Sequence, residues 1–344
     1  MKGTVRRSTI FIVSVSLFFW NVCCCMAAVK GRQEQRDAGQ GEDIPILTEE
    51  QEESLDSSQK LASQMLFEAA DWIDSFFDDR RSVVEENTSR ATAKLSMGYS
   101  RNDDFEIKPR LDLRLKLPRL SERANLFLEA AEDKDFNIER TPLDDRLANN
   151  DGENNELTAG LRYFLKETQK YNVSLDGGLS WDYLFTGVRY RSIQEFGRWQ
   201  GRLTNRLRYY TDDGLENKTA YDLERRLHTN WLFRTTTGAV LSEEEEGVPH
   251  SQYFRLFQVL SAYQAISYES GVYLDTEPSY KLTDILFLVR YRQRFFRDWL
   301  VLEVSPRLSF PEDHGREADP GIVLQIEAAF GYQADLEGYR KIFH

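Results

Sequence analysis

Phe105-Glu106-Ile107-Lys108-Pro109-Arg110-Leu111-Asp112-Leu113-Arg114-Leu115-Lys116-Leu117 alternates in polarity over its whole length. Ile107, Leu111, Leu113, Leu115 and Leu117 alternate with Glu106, Lys108, Arg110, Asp112, Arg114 and Lys116. Successive side chains of a strand point to opposite faces, so this segment has one apolar face and one charged face. Alternation alone also suits a soluble sandwich. Length separates the two, because soluble strands are typically about 5–6 residues long, whereas a tilted membrane-spanning strand needs about 9–11.

The pattern recurs along the chain. Leu157, Ala159, Leu161, Tyr163 and Leu165 carry it, as do Tyr171, Val173, Leu175, Leu179 and Trp181. Trp199, Leu203, Leu207 and Tyr209 oppose Arg198, Arg202, Arg206 and Arg208, while Ile285, Phe287, Val289, Tyr291 and Phe295 oppose Asp284, Arg290, Arg292 and Arg294. Leu300, Leu302, Val304 and Leu308 precede Ile322, Leu324, Ile326, Ala328, Phe330 and Tyr332. A sheet immersed in lipid must close so that no edge is left unpaired. The spacing therefore predicts an all-β fold, a transmembrane antiparallel up-and-down β-barrel over 88–333 with about 14 strands. Twelve is the other count allowed, because alternation is weak at 184–195 and 251–276. Connections near 118–122, 168–170, 195–197, 227–230, 263–264 and 296–298 are short, whereas of those at 101–104, 133–155, 182–186, 211–216, 243–250, 275–281 and 310–320 several are long or acidic. Bacterial barrels have short periplasmic turns and longer external loops.

Composition fits this reading. The 344 residues are 41% hydrophobic and 12% aromatic, with a mean hydropathy of −0.56, which excludes a bundle of membrane helices. The one long apolar run, Ile10 to Trp20, follows Lys2, Arg6 and Arg7 and precedes Ala27 and Ala28, the order of a secretory signal peptide over 1–27 for the Sec route. Cys23, Cys24 and Cys25 all lie within it, so the expected mature chain has no thiol. Loss of the leader's three basic residues takes the net charge from −13 to −16.

Residues 28–60 are polar and acidic without apolar periodicity, an expected disordered linker. Over 61–80, Leu61, Met65, Ala69, Trp72, Ile73 and Phe76 recur at three- and four-residue spacing, with Glu68, Asp71, Asp74, Ser75 and Asp78 elsewhere on the wheel. This predicts a periplasmic amphipathic helix. Its acidic face argues against adsorption to anionic lipid. Trp72, Ile73, Phe76, Asp71 and Asp74 are its candidates for plugging the barrel or meeting a partner protein.

With its signal peptide and residues 88–333, the chain resembles the outer-membrane β-barrel proteins of Gram-negative bacteria. The resemblance implies contact with outer-membrane lipid and lipopolysaccharide, and insertion by the outer-membrane assembly machinery. Gln325 to Tyr332 looks like the carboxy-terminal assembly signal of that class, with Phe330 and Tyr332 as its spaced aromatics. It departs from the class in having Glu327 where Gly is usual and in the tail at 334–344.

Placing the apolar face in lipid turns Arg110, Arg114, Arg162, Arg189, Arg191, Arg198, Arg202, Arg206, Arg208, Arg290, Arg292 and Arg294 inward, with Glu224, Glu303 and Glu327. This lining predicts a passive pore or structural barrel, with arginines favouring anions. An alternative is an anchor or receptor for a periplasmic protein through the 61–80 helix. A lipid-modifying enzyme ranks third, since adjacent His250 and Ser251 point to opposite faces of a strand. No motif for a cofactor or metal occurs, and a pI near 5.0 argues against nucleic acid.

Overall fold

A computed structural model describes residues 65–66, 68–77, 90–102, 105–116, 124–131, 156–168, 170–244, 247–277, 279–330 and 336–343. The expected signal peptide, the linker at 28–60 and Tyr332 lie outside the described residues.

The described residues between 65 and 77 form helix α1. Fourteen strands follow: β1 (Arg90–Ser100), β2 (Glu106–Lys116), β3 (Ala124–Ala131), β4 (Glu156–Glu167), β5 (Tyr171–Leu179), β6 (Leu184–Phe196) and β7 (Trp199–Tyr210). The second half comprises β8 (Gly214–His228), β9 (Trp231–Ser242), β10 (His250–Ser261), β11 (Gln264–Asp275), β12 (Lys281–Arg294), β13 (Leu300–Ser309) and β14 (Asp319–Phe330). Helix α2 (Leu336–Phe343) ends the chain.

Each strand pairs antiparallel with its sequence neighbours, and β1 pairs with β14 from Ala91↔Phe330 to Ser100↔Gly321, which closes the sheet. The two weakly alternating regions are strands as well: 184–195 falls in β6 and 251–276 covers β10 and β11. Strands of 8 to 15 residues match the expected length class. At one end residues 197–198, 229–230 and 262–263 form two-residue turns and 295–299 a five-residue one; the other end has the short turns 180–183 and 211–213 as well. Residues 243–249 and 310–318 form longer loops at that other end. In the turn at 197–198 Gly197 takes a φ of 63°, where a Cβ would be strained.

The barrel's polarity is inverted relative to a soluble protein. Leu95, Tyr99, Ile107, Leu111, Leu175, Val188, Phe287, Ile322, Leu324 and Ile326 point outward and are exposed, whereas arginines and carboxylates of the same strands are buried inside. Outward aromatics gather near strand ends. Trp199 meets Phe233 edge-on, and Trp299 stacks on Phe330 at 5.5 Å, both near the short-turn end.

The main apolar core sits inside that same end. Leu66, Ala69, Ala70, Trp72, Ile73, Phe76 and Phe77 of α1 pack against Leu232, Phe257, Val259 and Ala265 of the wall and against Ile342 and Phe343 of α2. Trp72 contacts Phe343 edge-on at 5.1 Å, and Phe77 lies 5.3 Å from Phe257. Two expectations change here. The 334–344 tail contains a helix, because Tyr339, Ile342 and Phe343 line one face and find a partner in α1. The buried stripe of α1 also turns toward Leu66, Ala70 and Phe77 and leaves Met65 exposed, because α1 is covered from both wall and α2.

Candidate functional site: a charged lumen with an internal helix pair

Inward positions repeat every second residue, so each strand delivers its charges to the lumen in register with those of its neighbours. On β7, β8 and β9 these include Arg202, Glu224 and Arg234. Asp74 of α1 enters their midst. Its carboxylate lies 2.6 Å from Arg234 Nη2 and 3.5 Å from Arg202 Nη1. Arg234 Nε donates to Glu224 Oε1 at 2.9 Å, and Arg202 Nη2 lies 3.8 Å from the same oxygen. Two guanidiniums and two carboxylates thus form a charge-balanced quartet, each member no more than 2% exposed. In such a setting the loss of one partner costs about 3–5 kcal/mol, because the charge left behind is buried without compensation.

Cations also cover the aromatic side of α1. The Arg294 guanidinium lies 5.0 Å from the Phe76 ring and that of Arg290 5.3 Å from Phe77, within the range of cation–π attraction. Lys341 of α2 pairs with Glu68 of α1 at 2.8 Å, and Arg226 of β8 donates to the Ile342 carbonyl. The two helices are therefore packed as one unit, attached to the wall and to each other. The sequence assigns this helix to the periplasm. In the structure its apolar and acidic sides both face the inside of the barrel end, where the arginines that neutralise Asp74 are found. Trp72, Ile73 and Phe76, the side chains a periplasmic partner would use, are buried in that core. Asp71 lies half-buried.

The rest of the lining divides into two sectors. From β10 around the closing seam to β1, charges alternate: Arg255–Glu269, Glu269–Arg290, Arg290–Glu303, Glu303–Arg292, Arg292–Glu327 and Glu327–Lys94, at 2.6–3.8 Å. From β4 to β8, cations dominate. Arg208 donates twice to Asp176, at 2.7 and 2.9 Å, with Arg162 3.8 Å from the same carboxylate. Arg189 stands opposite Arg206 in register, and Arg206 opposite Lys218, with Glu216 within 3.6 Å of both. Arg191 is buried one pair further along β6. Nearer the long loops, Tyr183, Phe185 and Tyr210 cluster under Arg208, whose guanidinium lies 4.6 Å from Phe185.

Arg162, Arg189, Arg191, Arg202, Arg206, Arg208, Arg292, Arg294, Glu224, Glu303 and Glu327 are thus buried in the interior, with Arg290 partly exposed beside them. Arg110 is half-buried opposite Lys94, while the side chain of Arg114 is outside the described residues. Arg198 is a correction: it has the right parity but occupies the turn after Gly197, and its side chain is exposed. Arg234 and Arg255 were not among the sequence candidates. Arg234 adjoins the run Thr235-Thr236-Thr237, whose two faces look alike, and Arg255 falls in a weakly alternating region. Arg234's one legible signal is the Asp222 and Glu224 pair on the preceding strand.

His250 and Ser251 do not meet. Ser251 is buried on the inner face, while His250 Nε2 lies 3.1 Å from Tyr280 Oη at the long-loop end.

No known protein family and no curated protein matches the sequence. Solved structures similar to the chain include an anion-selective porin from Comamonas acidovorans, at TM-score 0.44 and 8% identity over 71% of this chain and 99% of that one. The outer membrane protein OmpT of Vibrio cholerae gives TM-score 0.43 and 7% identity over 70% and 97%. The outer membrane channel DcaP of Acinetobacter baumannii gives 0.42 and 7% over 70% and 96%.

Proposed function

We propose that this chain is an outer-membrane channel, exported through the Sec route, whose lumen favours anions and whose periplasmic end is stoppered by its own acidic helix. The outward apolar belt, the paired β1–β14 seam and the contrast between short turns and long loops support the membrane reading. The observation that carries the channel reading is Asp74, held between Arg202 and Arg234 at the short-turn end. Helix α1 occupies space that a solute leaving the lumen would cross, and it is attached by contacts that can be broken without unfolding the wall. The cation-rich sector from β4 to β8 supports the anion preference, because fixed positive charge in a narrow aqueous path lowers the barrier for phosphate or carboxylate solutes. The long loops face outward toward lipopolysaccharide, and Phe330, exposed beside Trp299, is the described part of the signal for the assembly machinery.

Planar-bilayer recording tests this directly. The full chain should pass little current, and a chain lacking residues 29–86 should open a stable conductance severalfold larger. Equal currents would overturn the stopper.

A further inference from the structure

The outward face is not uniform. On β12, β13, β14 and β1 the outward residues are Ile285, Phe287, Val289 and Tyr291, then Leu300, Leu302, Val304 and Leu308, then Ile322, Leu324 and Ile326, then Leu95, Met97 and Tyr99. None of these carries an amide or an aliphatic hydroxyl; the one outward amide on these strands among the described residues is Gln293, at the short-turn end of β12. Across the barrel, the middle of β7 to β10 presents Asn205, Asn217, Thr219, Thr235, Thr237 and Gln252 on that same face, all half-buried. They are joined by hydrogen bonds. Asn205 Nδ2 donates to Thr219 Oγ1 at 2.7 Å and to Asn217 Oδ1 at 3.1 Å. Thr237 Oγ1 donates to Gln252 Oε1 at 2.6 Å, and Gln252 Nε2 donates to Thr235 Oγ1 at 2.5 Å.

Hydrocarbon offers these groups nothing. Each carboxamide has two N–H donors and an oxygen that accepts twice. Asn217 Nδ2 also donates to Asn205 Oδ1 at 3.4 Å and to the Arg206 carbonyl at 3.3 Å, and Thr219 Oγ1 donates to Asn217 Oδ1 at 3.2 Å, so the wall engages the Asn pair almost fully, whereas its bonds to Gln252 engage one N–H and one oxygen position. Polar side chains at lipid depth are costly alone, and they bind segments together where they meet another protein surface. We infer that two copies of this chain associate through the outer wall of β7 to β10, apposing the Asn205–Asn217–Thr219 cluster and the Thr235–Thr237–Gln252 cluster.

The chemistry of the patch selects the partner. All six side chains are neutral, so a charged partner gains nothing from them. All six are both donors and acceptors, so the patch is complementary to itself, as a two-fold interface requires. The opposite wall, from β12 through β14 to β1, offers hydrocarbon and phenol with the single carboxamide of Gln293 near the short-turn end, already engaged by Tyr291 Oη at 2.8 Å, and remains in lipid.

The inference rests on the membrane reading, so the test begins with flotation. The full chain, with Cys23, Cys24 and Cys25 changed to Ser, is reconstituted into phosphatidylcholine vesicles, and failure to float overturns the membrane reading itself. A single cysteine is then introduced as Thr237→Cys or, on the opposite wall, as Leu324→Cys, and treated with a short bismaleimide. Thr237→Cys should give a product of twice the chain mass at least tenfold more abundant than Leu324→Cys. Asn205→Leu with Gln252→Leu, added to Thr237→Cys, should remove that product while the barrel still floats. Equal cross-linking of the two walls, no product from Thr237→Cys, or a product of another mass would each overturn the second-copy interface. Should the double variant fail to fold, the comparison between the two single-cysteine chains still decides.

Discussion

Asp74→Arg should open the full-length barrel. The substitution replaces the carboxylate between Arg202 and Arg234 with a third guanidinium, leaving Glu224, with Asp222 opposite Arg202, to face three cations. Breaking one partner of a buried, hydrogen-bonded charge group costs about 3–5 kcal/mol, and each 1.4 kcal/mol is about tenfold in an equilibrium constant. The equilibrium constant for seating α1 should therefore fall by about two to three and a half orders of magnitude, and reversal of charge adds repulsion to that loss. Single-channel current should rise to that of the chain without residues 29–86. The wall stays intact, because its hydrogen-bonded ladders do not involve Asp74. Asp74→Asn keeps the shape and one acceptor, so it should fall between. A closed Asp74→Arg channel would mean that the apolar core alone, with Trp72, Phe76 and Phe77, seats the helix.

Charge reversal in the lumen should invert ion preference. In the chain lacking residues 29–86, Arg189→Glu with Arg206→Glu replaces two adjacent cations by two anions, a swing of four charges in the row Arg189–Arg206–Lys218. The reversal potential under a potassium chloride gradient should change sign, from anion-favouring to cation-favouring. Because the Debye length is about 10 Å at 0.1 M and about 3 Å at 1 M, the inversion should be largest in dilute salt. Arg198→Glu, at the exposed turn, should shift the potential little, since bulk water screens it. An unchanged preference in the double variant would leave the Arg-rich sector without a role in selectivity.

The strands were legible in the sequence because lipid and lumen impose opposite chemistry on alternate residues, most plainly on β2 and β12. Alternation faded at β10 and β11 for a physical reason: Gln252, Gln258 and Ser270 put polar groups on the outer face, so both faces read alike. Closure was inferred from the membrane's intolerance of an edge, yet the pairing of Ala91 with Phe330 joins residues too far apart for any local pattern to register. Helix α1 was visible from its period, and the excess of acid in front and base in the lumen hinted at where it goes. Its attachment was not visible, since Arg234 lies among threonines. Helix α2 was missed because eight residues with Tyr339, Ile342 and Phe343 resemble a tail until α1 supplies the surface they cover. Arg198 shows the converse, a residue of correct parity carried out of the lumen by a turn that starts one residue earlier.

If α1 resides inside the short-turn end of the barrel, its distance from the wall is fixed and can be measured. Spin labels at Ser75→Cys on the exposed side of α1 and at Asn230→Cys in the β8–β9 turn, in a chain with Cys23, Cys24 and Cys25 changed to Ser, report the separation of helix and wall. Pulsed electron–electron resonance in lipid should give a single narrow distance that broadens when Asp74→Arg is added. A broad distribution already present with Asp74 intact would mean that α1 is not seated in the barrel end.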